Sequence, residues 1–111
     1  EDKLVENCAE IGRYISPKLA ELKGKHPCIG HYDQVGVFMC IEIIKNGKEP
    51  ASREAQYIVD AMYAGGLLAY RNGYYGNRIT FIPPLTWTKD DVDNVFIIIE
   101  KSIEEGEKSF D

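Results

Sequence analysis

Apolar positions recur along the chain at helical spacing, then at every residue, then at alternate residues. Leu4, Cys8, Ile11, Ile15, Leu19 and Leu22 stand at steps of three and four, which predicts an amphipathic helix over residues 2–23. Pro17 lies inside that pattern. It removes the bond to the Arg13 carbonyl and is expected to kink the helix or divide it in two. "KGKHP" (23–27) ends the segment. "VGVFMCIEII" (35–44) is apolar at both parities except Glu42, which predicts a central strand covered on both faces. "KNGKEP" turns around Asn46-Gly47. Ser52 then suits the cap of a helix over 53–64, with Ala55, Ile58, Val59 and Met62 inward and Gly65-Gly66 as its stop.

"LLAY" reads as a short strand, "RNGYYGN" as a glycine-rich loop, and "RITFI" as a strand alternating β-branched and aromatic residues. Pro83 and Pro84 cannot donate to a ladder, so that strand ends at them. Thr88 precedes Asp91 at capping-box spacing. The last helix, from 89 to about 105, turns Val92, Val95, Phe96, Ile99 and Ile103 inward, and "EEGEKSFD" follows as a polar tail. The order is helix, strand, helix, strand, strand, helix, with room for another short strand at "CIGHYD". Such a series packs as one α+β domain over residues 1–111, a small, mainly antiparallel sheet with helices on one face.

Composition narrows the function. At 111 residues the chain holds a core but is small for a complete cofactor enzyme. A net charge of −5 argues against nucleic acid or an anionic membrane as partner. No apolar run approaches the roughly 18 residues of a spanning helix. Cys8, Cys28 and Cys40 form no CxxC pair and no cysteine-histidine cluster, so no metal site or disulfide framework is indicated. The plain expectation is reduced, buried cysteines in a cytoplasmic protein. The chain begins Glu-Asp-Lys rather than Met, as expected of a processed or truncated piece.

Few residues carry chemistry. Glu42, between Ile41 and Ile43, is expected to need a partner, either as anchor of a functional arginine or as one half of a structural pair. Arg71 and Arg78, with Tyr70, Tyr74 and Tyr75, gather cationic and aromatic groups about one loop. An arginine fork suits a substrate carboxylate, and the plainer reading is a surface hairpin. His26 and His31 have no triad or metal spacing and are expected at the surface. From the residues alone, the chain is an α+β domain with one loop suited to a small anion.

"GNRITFIPPLTWTKDDVDN" is similar to the C-terminal signature of class III aminotransferases, in which a short strand, "PPL" and a Thr-led acidic helix start occur together. "IGHYDQVGVFMCIEII", "EPASREAQYIVDAMYAGGLLAYR" and "LVENCAEIGRYISPKLAELKGKHPCIG" resemble the family's preceding segments in the same order. The resemblance spans about residues 3–105. It implies a fold type I enzyme dependent on pyridoxal phosphate, working as a homodimer. This chain would be the small C-terminal domain, packed beside a large domain that holds the Schiff-base lysine and the phosphate site. No catalytic and no cofactor-binding residue is then expected here, and the chain alone is predicted to be inactive.

Departures from the family's pattern point to a substrate class. Many members acting on α-amino acids have an arginine three residues before the double proline, where Thr80 stands here. Members without it resemble pyruvate-dependent ω-aminotransferases, which accept amines or ω-amino acids. In those, an arginine in the preceding loop swings in to bind the keto acid's carboxylate. Arg71 matches it, with Arg78 as rival because alternation puts Arg78 on the face of Thr80. Asp33-Gln34 stands where members usually have Arg-Gly. Two readings compete with the enzyme domain. One is a free-standing regulatory module binding a small carboxylate through Arg71 and Arg78. The other is a dimerisation module, hinted at by Ile97 and Ile98.

Overall fold

The computed structural model describes residues 2–81 and 87–110, with side chains from residue 6 onward. Among the described residues three helices, α1 (Asp2–Lys25), α2 (Ser52–Ala64) and α3 (Lys89–Glu107), accompany five strands: β1 (Ile29–Val35), β2 (Phe38–Lys45), β3 (Glu49–Pro50), β4 (Ala69–Asn72) and β5 (Arg78–Phe81). The strand order is β1-β2-β5-β4, each pairing antiparallel, with β3 a short addition to β2. This is the α+β arrangement that the pattern predicts. The double-proline corner at 83–84 and the side chain of Leu4 lie outside the described residues.

The core lies between one face of the sheet and the helices. Met39, Ile41, Ile43, Ile79 and Phe81 point inward from β2 and β5 against Ile15 and Leu19 of α1, Ile58 and Met62 of α2, and Ile99 and Ile103 of α3, all almost fully buried. Each fully buried aliphatic or aromatic side chain contributes about 1.5–3 kcal/mol of transfer free energy. Among the described residues no helix is long and apolar enough to cross a membrane.

Several expectations change. The run at 35–44 is not one strand. Gly36, at φ 60, and Val37 form a two-residue hairpin turn closed by the Val35–Phe38 pair. A positive φ at only the first turn position suits the right-handed twist of the strands, and glycine adopts it freely. Residues 29–35 therefore form a full strand. Nor is β2 covered twice: Cys40 and Glu42 are half-buried and Phe38 is exposed. Pro17 sits within a helix that is continuous from residue 2 to 25. It stands on the exposed side, and the apolar face on either side of it packs without interruption.

Ser52 is the first residue of α2 rather than its cap. Ala51 occupies that position without a side-chain hydrogen bond, and the Ser52 hydroxyl donates to the Tyr75 carbonyl instead. α3 begins with the complete Thr88–Asp91 capping box. It also runs further than predicted, through buried Gly106, with Phe110 folded back onto the core.

Contacts between α1 and α3 tie the two ends of the chain together. The Tyr14 hydroxyl donates to Asp93 Oδ1 at 2.7 Å, and Lys18 pairs with the same oxygen at 3.0 Å. These two partners hold the Asp93 carboxyl below its usual range. His26 is buried rather than at the surface, with Nδ1 3.2 Å from Glu107 and Nε2 3.3 Å from Glu100. The missed signal is the i, i+7 pair of glutamates on α3, which lie on one face of that helix two turns apart. His31 is exposed as expected.

Candidate functional site

Strand alternation sorts the candidate residues. Along β2, Phe38, Cys40 and Glu42 point away from the helices, and register places Thr80 beside Cys40 and Arg78 beside Glu42. On β1, Asp33 pairs with Cys40 and His31 with Glu42. On β4, Tyr70 pairs with Thr80 and Asn72 with Arg78. The outcome is an open sheet face with a polar centre, rimmed by exposed Val35, Phe38 and Tyr70.

Arg78 is the hub of that face. Its Nη2 donates to Asp33 Oδ2 at 2.7 Å, its Nε to Cys40 Sγ at 3.3 Å, and its Nη1 lies 3.8 Å from Glu42 Oε2. Hydrogen bonds from Arg78, then from His31, hold the Asp33 carboxyl below the usual carboxylate range. Glu42 is thus half-exposed and paired, at the outer edge of this cluster. Thr80 Oγ1 accepts from Asn72 Nδ2 at 2.9 Å.

Arg71 is not brought together with Arg78 and Thr80. It pairs with inward-facing Ile79 on the edge strand β4, and its exposed guanidinium turns toward the start of α2. There Nη1 donates to the Gly76 carbonyl at 3.2 Å and lies 3.5 Å from the Ser52 carbonyl. Together with the Ser52–Tyr75 bond, these contacts fasten the loop that carries Tyr74 and Tyr75, an exposed pair in edge-to-face contact at 4.9 Å. Asn77, missed in the sequence, closes the loop. It is buried and donates through Nδ2 to the Ile43 carbonyl at 2.9 Å.

Ile97 is exposed, whereas Ile98 packs against the core, with Gly65 beneath it. They do not form a joint apolar face.

Electrostatically, Arg78 is committed to protein carboxylates and Arg71 only to backbone carbonyls. A charged partner holds a guanidinium about twice as strongly as a neutral one. Arg71 is therefore the fork more readily freed for an incoming carboxylate. Lys48 lines a pocket together with Glu42 and Arg78 of the open face. Lys45, at the end of β2, pairs instead with Glu54 on the helix side.

A family model for class III aminotransferases matches residues 1–103, and the chain belongs to that family. It is 40% identical over 94 residues to alanine–glyoxylate aminotransferase 2 homolog 2 of Arabidopsis thaliana, a match covering 83% of this chain and 20% of that protein. It is 33% identical to taurine–pyruvate aminotransferase of Bilophila wadsworthia, across 98% of this chain and 25% of the relative. The fold superposes with TM-score 0.89 and 21% identity on a PLP-bound aminotransferase from Vibrio fluvialis, covering the whole of this chain and 25% of that one. The chain therefore spans a fifth to a quarter of the length of these three proteins.

Proposed function

We propose that this chain is the small C-terminal domain of a pyridoxal-phosphate-dependent transaminase that moves an amino group from an amine or ω-amino acid to a keto acid such as pyruvate. The complete enzyme is a cytoplasmic homodimer. Its large domain holds the cofactor, and this chain alone is inactive. The domain's contribution is substrate orientation and closure, which lowers the barrier through positioning. The reading is supported by family membership and by the share of the relatives that the chain spans. It favours the enzyme domain over a free-standing carboxylate-binding module.

The observation that carries the residue assignment is the contrast between the two arginines. Arg78 is clamped by Asp33 and Glu42 and orders the sheet face. Arg71, on the edge strand, is free to leave two carbonyls and receive the keto acid's carboxylate. Thr80, small and neutral on the open face, leaves space and no charge for a donor's variable end.

In the complete enzyme, Arg71→Ala is expected to lower kcat/KM for pyruvate by about 10- to 100-fold, the loss of one charge-assisted pair of hydrogen bonds. Arg78→Ala should cost less. Thr80→Arg should move donor preference toward dicarboxylic or α-amino acids. Unchanged pyruvate kinetics in Arg71→Ala would overturn the role of that residue.

A further inference from the structure

The loop over residues 73–76 is seated on both arginines. A Cβ at Gly73, at φ 91, would stand 2.9 Å from Arg78 Cγ, and one at Gly76, at φ 66, would stand 2.8 Å from Arg71 Nη1. Only glycine lets the backbone turn this way and lie this close to the stem of one arginine and the head of the other. Between the glycines, Tyr74 and Tyr75 are 88% and 62% exposed. The loop therefore buries little apolar surface, and its place depends on polar fastenings.

Arg71 and Ser52 supply those fastenings. Arg71 Nη1 donates to the Gly76 carbonyl and lies against the Ser52 carbonyl, while the Ser52 hydroxyl donates to the Tyr75 carbonyl. Within the loop, the Gly76 N–H donates to the Gly73 carbonyl at 3.2 Å. Ser52 thus meets the assembly twice, at the guanidinium and at the loop. As the first residue of α2, it stands on no strand of the open face.

Each contact is exposed and ends on a neutral carbonyl, so a carboxylate is the stronger partner for the same fork. A fork engaged by the loop is nonetheless withheld from substrate. The apparent affinity for a carboxylate falls in proportion to the fraction of molecules in which the fork is free. By linkage, whatever loosens the loop strengthens carboxylate binding, and carboxylate binding loosens the loop.

We propose that Ser52 and the loop over residues 73–76 form a latch on Arg71 that sets the enzyme's affinity for its keto acid. Ser52 is a positioning residue, acting through Arg71 and touching no substrate. The latch presupposes the assignment of Arg71 to the keto acid's carboxylate, and names what that fork gives up in order to bind it.

The tests use the complete enzyme. Ser52→Ala removes the hydroxyl fastening and should raise kcat/KM for pyruvate by about two- to fivefold, through a lower KM at unchanged kcat, the worth of one exposed hydrogen bond. Gly76→Ala, whose methyl displaces the guanidinium, should act in the same direction. A merely structural role would give no gain. Propylamine, a donor without a carboxylate, should gain nothing in either variant. Hydrogen exchange, read by mass on a peptide spanning residues 72–78, should be faster in Ser52→Ala and in Arg71→Ala. Propionate, a carboxylate that cannot turn over, should speed it in the natural enzyme and not in Arg71→Ala. Unchanged or lower kcat/KM for pyruvate in Ser52→Ala overturns the latch. So does an equal gain for propylamine, or unaltered exchange in both variants. Arg71→Ala separates the two readings. If it leaves pyruvate kinetics unchanged, the assignment beneath the latch fails and the latch with it. If it weakens them while Ser52→Ala raises nothing, the latch alone fails.

Discussion

At the scale of single residues, the sheet face is governed by Asp33. Its carboxyl titrates lower in the folded protein than in the unfolded chain, because Arg78 and His31 donate to it. A depressed carboxyl stabilises the fold above its unfolded pKa of about 3.9, and that contribution disappears as pH falls through the folded value. Thermal melts from pH 6 down to 3 should therefore show acid destabilisation that is shallower in Asp33→Asn than in the natural chain. An equal slope would mean that the pair adds nothing. Cys28 gives a second prediction. Burial, reinforced by Glu107, pushes its thiol up to about 12. The thiolate is the nucleophile, so at pH 8 iodoacetamide should modify half-buried Cys40 well before Cys28, as read by peptide mass. That Arg78 and Thr80 share a face was legible from alternation, whereas Glu42 joins them only through the register of β2 against β5, in a strand that the pattern read as covered on both faces. Nor was the role of Asp33 legible, since it depends on how β1 registers against β2, two strands away from Arg78.

At the scale of elements, the helices were the most legible part, because an apolar stripe at 3.6-residue spacing has one structural reading. The Thr88–Asp91 box was legible too, being a contact between near neighbours in the chain. Thr88→Ala should cost about 1 kcal/mol, lowering Tm by about 4 °C in a domain of this size. The expected cap at Ser52 failed for a tertiary reason. The backbone at Ala51 is committed to β2, and the hydroxyl of Ser52 is drawn to the Tyr75 loop. The strand run at 35–44 misled because a glycine turn between two valines leaves no mark in hydropathy. His26 misled because its acidic neighbours come from the far end of the chain.

At the scale of the whole molecule, the last helix completes a core that the first one opens. Gly106 lies so close to Ile58 that no side chain fits between them, which fixes how α2 and α3 approach. A chain ending at residue 98 would lack Ile99, Ile103 and Gly106 together and should show no cooperative melt. A sharp transition would refute that dependence. The tie between α1 and α3, through partners 74 to 81 positions apart, also has a consequence for synthesis. At about 5–20 residues per second, the ribosome makes the first helix roughly 4–16 s before its partner. For that interval the stripe of Ile11, Ile15, Leu19 and Leu22 has only β1 and β2 to pack against, and its α3 side stays open to a chaperone or to protein already made.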